Sequence, residues 1–192
     1  MSVGHFRDAL AALHTGLERT GAPFMLIGGL AVVAHGVPRP TDDLDATAWA
    51  PGLDLDDLIA ALAASDVVGR IPDMREFAAQ TQVLLLRHAP SGIPIEVALA
   101  WLPFEEEALQ RAVRLRIGGV PWPTATVDDL IIYKALAWRD RDRIDVQRLL
   151  RVVGHRVGRQ RILRIVQQLA EAIEAPERVA QLQRLLDEAS DA

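Results

Sequence analysis

Asp43 and Asp45 flank Leu44, and fourteen residues before Asp43 stands Gly29, the second of a pair with Gly28. In an extended strand alternate side chains project from one face, so these two carboxylates would lie a few ångströms apart. Two such charges repel each other unless a cation sits between them. Magnesium suits the place, because it takes hard oxygen ligands and commonly binds one or two carboxylates together with substrate phosphates. A two-metal arrangement would stabilise both the attacking and the leaving oxygen of an in-line displacement at phosphorus, and it normally wants a third acid. Glu96, set in the apolar run Pro94, Ile95, Glu96, Val97, Ala98, is the candidate for that third ligand or for the base toward an incoming hydroxyl. The glycine pair has a different use. Where a strand gives way to a helix, bare backbone can approach a ligand closely and present unpaired amides to phosphate oxygens.

The elements that must carry these residues follow from periodicity and punctuation. Phe6, Leu10, Leu13 and Leu17 recur at helical spacing over residues 5–19, and Gly21 and Pro23 end that run. Residues 24–27 read as a short buried strand cut off by Gly28 and Gly29, and 30–35 as a helix opening from the glycines. Residues 44–49 alternate acidic and apolar positions as a strand with one functional face would. A helix is expected over 53–64. Strands are expected over 82–87 and 93–100, joined by the turn signal Pro90, Ser91, Gly92. Glu105, Glu106 and Glu107 open a further helix over 104–113, where the helix dipole favours negative charge. Gly118, Gly119, Pro121 and Pro123 punctuate a loop or small hairpin. From Thr126 onward the pattern is helical: 130–138, capped by Thr126 with Asp129, then 144–153, 162–173 and 179–186. The expected architecture is α+β, a mixed sheet flanked by helices over 1–123 followed by a C-terminal helical region over 124–192.

Composition removes several classes of function. The chain has 192 residues, half of them hydrophobic and 24% charged, which is ordinary for a globular domain. It has no cysteine, so disulfides, thiolate zinc sites and cysteine nucleophiles are all excluded, and any metal must sit on oxygen or imidazole. A net charge of −5 argues against a DNA-coating protein while leaving room for a local basic face. No window approaches the roughly 18 apolar residues of a membrane span, and the first twenty residues pattern as an amphipathic helix rather than a signal peptide, so a soluble cytoplasmic protein is expected.

The string Gly28, Gly29, Ala31, His35, Gly36, Arg39, Thr41, Asp43, Asp45 resembles the nucleotidyltransferase superfamily of polymerase beta type, most closely the abortive-infection nucleotidyltransferase toxins and minimal nucleotidyltransferases. In that group a later helix carries a lysine, then an arginine and two acids, and Lys134, Arg139, Asp142 and Asp145 stand here in that order. The resemblance implies that Asp43 and Asp45 hold magnesium and that Gly28 and Gly29 contact the triphosphate. It further implies that Arg39 and Thr41 shape the loop before the acids and that Lys134 reaches the phosphates. Glu96 stands where the family most often has aspartate.

By this resemblance the chain would bind a nucleoside triphosphate such as ATP and pass its nucleotide to an RNA or transfer RNA end, or to a partner protein within a toxin–antitoxin pair. A small antibiotic acceptor and a catalytically silent antitoxin, scaffold or nucleotide sensor are the rival readings.

Several residues also have plainer explanations. Lys134, the sole lysine, could lay its stem along an amphipathic helix with the charge in water. Arg139, Asp142 and Asp145 could form ordinary helix-face ion pairs. His35 has the position of a helix-end structural residue. The four tryptophans, Trp49, Trp101, Trp122 and Trp138, read as core and rim packing. The arginines 148, 151, 156, 159, 161 and 164 would favour a nucleic-acid acceptor if they gathered on one surface, and a small molecule if they scattered.

Overall fold

The computed structural model describes residues 3–153 and 156–190, so the two chain ends and residues 154–155 within the expected regions lie outside the described residues. Contacts divide the chain into two units. One holds the chain up to Ala34 together with Pro40–Ala125, and the other holds His35–Arg39 with the chain from Thr126 onward.

In the first unit β1 (Phe24–Leu26), β2 (Leu44–Trp49), β3 (Val67–Gly69), β4 (Val83–His88), β5 (Pro94–Ala100), β6 (Val113–Ile117) and β7 (Val120–Thr124) form one sheet in the order β3-β4-β5-β2-β1-β7-β6. It is a mixed sheet, as expected: β2 runs parallel to β5 and β1 to β7, while the other neighbours are antiparallel. The hairpin of β4 and β5 turns at Gly92, whose φ of 73° suits glycine. The hairpin of β6 and β7 uses Gly118 and Gly119, both at positive φ, which is the two-residue turn that matches strand twist. Helices α1 (Val3–Glu18), α2 (Gly28–Ala34), α3 (Leu55–Ala63), α4 (Met74–Thr81) and α5 (Pro103–Arg111) belong to this unit. The stripe expected on α1 is buried: Leu10, Leu13 and Leu17 are almost fully excluded from water. Trp122 is wholly buried, meeting His14 and Phe24 edge-on with ring centroids 4.9 and 5.7 Å away.

Two elements here have no counterpart among the expected ones. The strand β3 is three residues long and takes its register from β4, so its existence depends on a distant partner. Helix α4 buries only Met74 and Ala78, and it ends at Gln82 in the left-handed region, φ 59°. A helix stop there usually carries glycine. With glutamine in its place the boundary leaves no punctuation, and the run from residue 82 reads as strand.

The second unit contains α6 (Val127–Ala137), α7 (Asp140–Val153), α8 (Arg159–Ala172) and α9 (Glu177–Ser190). Thr126 caps α6, accepting from the Asp129 amide, as its spacing predicts. Leu130, Ile131, Ile132 and Ala135 are all fully buried, so α6 is the central helix rather than an amphipathic one. Helices α7 and α8 are one-sided, with Val146, Leu149, Ile162 and Val166 inward. Among the described residues no helix is long and apolar enough to cross a membrane.

Candidate active site

The acids converge through strand register. Because β2 and β5 are parallel and Asp45 is paired with Glu96, the two residues are lateral neighbours pointing from the same face of the sheet. Asp43 lies at the bend just before β2, and its Oδ1 accepts a hydrogen bond from Thr41 Oγ1 at 3.1 Å. Thr41 therefore holds the approach to the acids. All three carboxylate residues are partly exposed.

Gly28 has a task that its sequence context did not reveal. Its φ of 64° is left-handed, and a Cβ added to it would fall 1.9 Å from Asp45 Oδ2 and 2.5 Å from Asp45 Cβ. No side chain fits there. The Gly29 amide donates to Asp45 Oδ2 at 3.4 Å, and the Ile27 amide donates to the Asp45 carbonyl at 2.9 Å. The two glycines and the turn around them are thus shaped to Asp45, which they seat against bare backbone.

Glu96 is engaged from its other side. Its Oε1 accepts from Arg70 Nη2 at 2.6 Å. Arg70 was not among the residues singled out by spacing, since it follows a short edge strand in a run with no period. Asp43 and Asp45 offer the hard oxygens that a divalent cation takes, and a Cβ-free cradle holds one of them. Among the described residues, however, no group of three or more His, Asp or Glu side chains gathers as a metal cluster. The donor chemistry of Asp43 and Asp45 fits a divalent cation, and Glu96 meets Arg70.

Within the helical unit the expected phosphate contacts form a buried network. Lys134 Nζ lies 2.7 Å from Asp145 Oδ2 and 3.3 Å from Asp142 Oδ1, and the three side chains are only 7, 3 and 2% exposed. Arg39 Nη1 meets Asp145 at 2.6 Å, and Arg139 Nε meets Asp142 at 2.7 Å. Burial alone pushes the Asp142 carboxyl up. The hydrogen bond from Arg139 and the charge of Lys134 outweigh that effect and hold it below the ordinary carboxylate range.

The back-helix arginines divide. Arg159 pairs with Asp187 and Arg161 with Asp129, while Arg148, Arg151 and Arg164 are exposed. Trp101 is 59% exposed, unlike Trp122.

No family model matches the sequence, and no curated protein matches it significantly. Solved structures do. The solution structure of the antibiotic-resistance factor ANT(2'')-Ia superposes with a TM-score of 0.58 at 18% identity, covering 91% of this chain and 94% of that one. An antigenic nucleotidyltransferase-like protein from Paracoccidioides brasiliensis gives 0.53 at 16% identity, covering 95% and 94%. The fold is the nucleotidyltransferase fold. The lincosamide antibiotic adenylyltransferase LnuA, in its lincomycin-bound crystal structure, gives 0.51 at 13% identity over 78% of this chain and 96% of that one. At these identities the likeness is one of architecture, and the chemistry rests on the residues described above.

Proposed function

We propose that this chain is a metal-dependent nucleotidyltransferase that passes a nucleotide from a nucleoside triphosphate to an acceptor hydroxyl. The observation that carries the reading is the in-register pairing of Asp45 with Glu96 on one sheet face, beside a glycine whose missing side chain leaves room for the Asp45 carboxylate. Asp43 and Asp45 would hold magnesium, which supplies charge neutralisation on the triphosphate and at the α-phosphate. The acceptor oxygen bonds to the α-phosphorus, the bond from that phosphorus to the bridging oxygen breaks, and pyrophosphate leaves. Glu96 takes the acceptor's proton. Gly28 and Gly29 keep Asp45 in place and leave backbone open toward the phosphates. Lys134 and Arg39 enter this reading as members of the buried network, because Asp142 and Asp145 already occupy their charges.

Two acceptor classes follow from different observations. The resemblance of the Gly28 to Asp45 string to abortive-infection toxins supports an RNA end, such as a transfer RNA acceptor stem, or a protein partner. Charge supports a small cationic acceptor instead: the sheet unit holds 8 basic residues against 15 acidic ones, a net of −7, which disfavours a polyanion. A relative in fold, ANT(2'')-Ia, has been solved with adenylyl-2''-tobramycin. The test incubates the chain with each of four labelled nucleoside triphosphates and magnesium, with total RNA in one arm and a panel of aminoglycosides and lincosamides in another. Transfer that depends on Asp43 and Asp45 is the expected result, and the arm that takes label names the acceptor. Label transfer surviving an Asp43→Ala, Asp45→Ala double substitution would overturn the mechanism.

A further inference from the structure

Four residues lie in one row, three in the strands β4, β5 and β2 and the fourth just past the end of β3. The Arg70 amide donates to the Leu85 carbonyl at 3.0 Å, continuing the ladder of β3 with β4 one position beyond Gly69. Leu85 is paired with Glu96 in β5, and Glu96 with Asp45 in β2. Paired residues share a face, so Arg70, Leu85, Glu96 and Asp45 project together, each about 5 Å from the next along the row. The Arg70 side chain must reach over Leu85 to meet Glu96, and it does, at 2.6 Å.

The order of the strands sets the direction of that pull. Arg70 lies on the β4 side of Glu96, and Asp45 lies on the opposite, β2 side. The guanidinium therefore draws the Glu96 carboxylate away from Asp45, in the same sense that repulsion between neighbouring carboxylates drives it. Glu96 is thereby drawn toward the β4 side, while Asp45 is seated against the backbone of Gly28 and Gly29.

From this row we infer that Arg70 is a positioning residue for nucleotidyl transfer, an inference that rests on the proposed function. It holds Glu96 outside the coordination of the metal at Asp43 and Asp45, and so reserves Glu96 for the acceptor hydroxyl. Glu96 is then the residue that touches the acceptor, while Arg70 acts through it.

The test separates metal binding from turnover. Mn²⁺ is titrated by electron paramagnetic resonance into the full chain with a non-hydrolysable α,β-methylene triphosphate, using wild type, Asp45→Asn, Glu96→Gln, Arg70→Ala, Arg70→Lys and the Arg70→Ala, Glu96→Gln double variant. Asp45→Asn is expected to abolish the tight site, whereas Glu96→Gln leaves its affinity within about twofold of wild type. Arg70→Ala frees Glu96 to join the ion, tightening Mn²⁺ by about three- to tenfold, and the double variant returns to the wild-type value.

In turnover, Arg70→Ala lowers kcat by about ten- to a hundredfold with the triphosphate KM changed less than about threefold, and Arg70→Lys restores part of the loss. Equal loss of Mn²⁺ affinity in Glu96→Gln and Asp45→Asn would make Glu96 a metal ligand and overturn the inference. So would an Arg70→Ala variant unchanged in both affinity and kcat. A wild-type chain that binds no Mn²⁺ with the triphosphate would remove the nucleotidyl-transfer reading and this inference together. That failure is recognised by its presence before any substitution is made.

Discussion

The two units of this chain use charge in opposite ways. On the sheet face Glu96 is 44% exposed, and it and Asp43 each accept one side-chain hydrogen bond that the geometry assigns. In the helical unit Lys134, Asp142 and Asp145 are nearly excluded from water and interlock with Arg39 and Arg139 into one network. An accessible carboxylate held by one hydroxyl, as Asp43 is by Thr41, can take up a cation at small cost, and Glu96 can receive an acceptor hydroxyl without leaving Arg70. Buried, mutually satisfied charges cannot, because removing one partner strands the others in a low-dielectric interior. Lys134, the sole lysine of the chain, belongs to the second kind, with Asp145 2.7 Å and Asp142 3.3 Å from its ammonium.

The comparison breaks most visibly if the exposed acids prove dispensable. Replacing Asp45 with asparagine should reduce nucleotidyl transfer by about a thousandfold or more while the melting temperature holds, measured by label transfer beside a thermal scan. The converse is expected of the buried network. Lys134→Met should destabilise the helical unit by about 3–5 kcal/mol in urea unfolding, because two carboxylates lose their central cation. A Lys134→Met variant of normal stability that fails only to bind triphosphate would restore the phosphate role.

Gly28→Ala is a smaller and more local break. Its methyl group would have to displace the Asp45 carboxylate and occupy a left-handed φ, costing about 1–3 kcal/mol of stability together with most of the activity. Retained activity in a folded Gly28→Ala chain would show that Asp45 need not sit against that backbone.

Acid sharpens the contrast further. Asp142 is held below its unfolded value, so it contributes stability above about pH 4 and loses it as pH falls through the lower folded value. Melting temperature should thus stay level from about pH 7 to 5 and drop below about pH 4, with a shallower drop in Asp142→Asn. The smallest effect belongs to the solvent-exposed pair of Arg75 and Asp56, at 2.6 Å. Arg75→Ala should leave both the melt and the transfer rate unchanged, since water and salt screen such pairs.

Much of the frame was legible along the chain. Strand β2 occupies the bounds that its alternation predicts, the Thr126 cap is where its spacing puts it, and the mixed sheet followed by four helices matches the expected order. The glycine pair and Asp45, separated in the chain, do meet: a side chain at Gly28 would collide with the Asp45 carboxylate. Strand β3 and Arg70 have no periodicity or punctuation to announce them, because each is held by a partner elsewhere in the chain, and the left-handed stop at Gln82, closed by a bond to the Ala78 carbonyl, has no glycine to mark it.

Local pattern therefore determined which segments are strand or helix, and which glycines and acids stand close together in the chain. Those preferences arise from side-chain alternation, helical period and backbone sterics within a few residues. Only the tertiary structure decided that Asp45 faces Glu96 across fifty-one residues, that Arg70 pulls Glu96 to the far side, and that Arg39 meets Asp145. Strand order and register are set by pairing between distant segments and by how the whole sheet buries its core, and no local spacing encodes that choice.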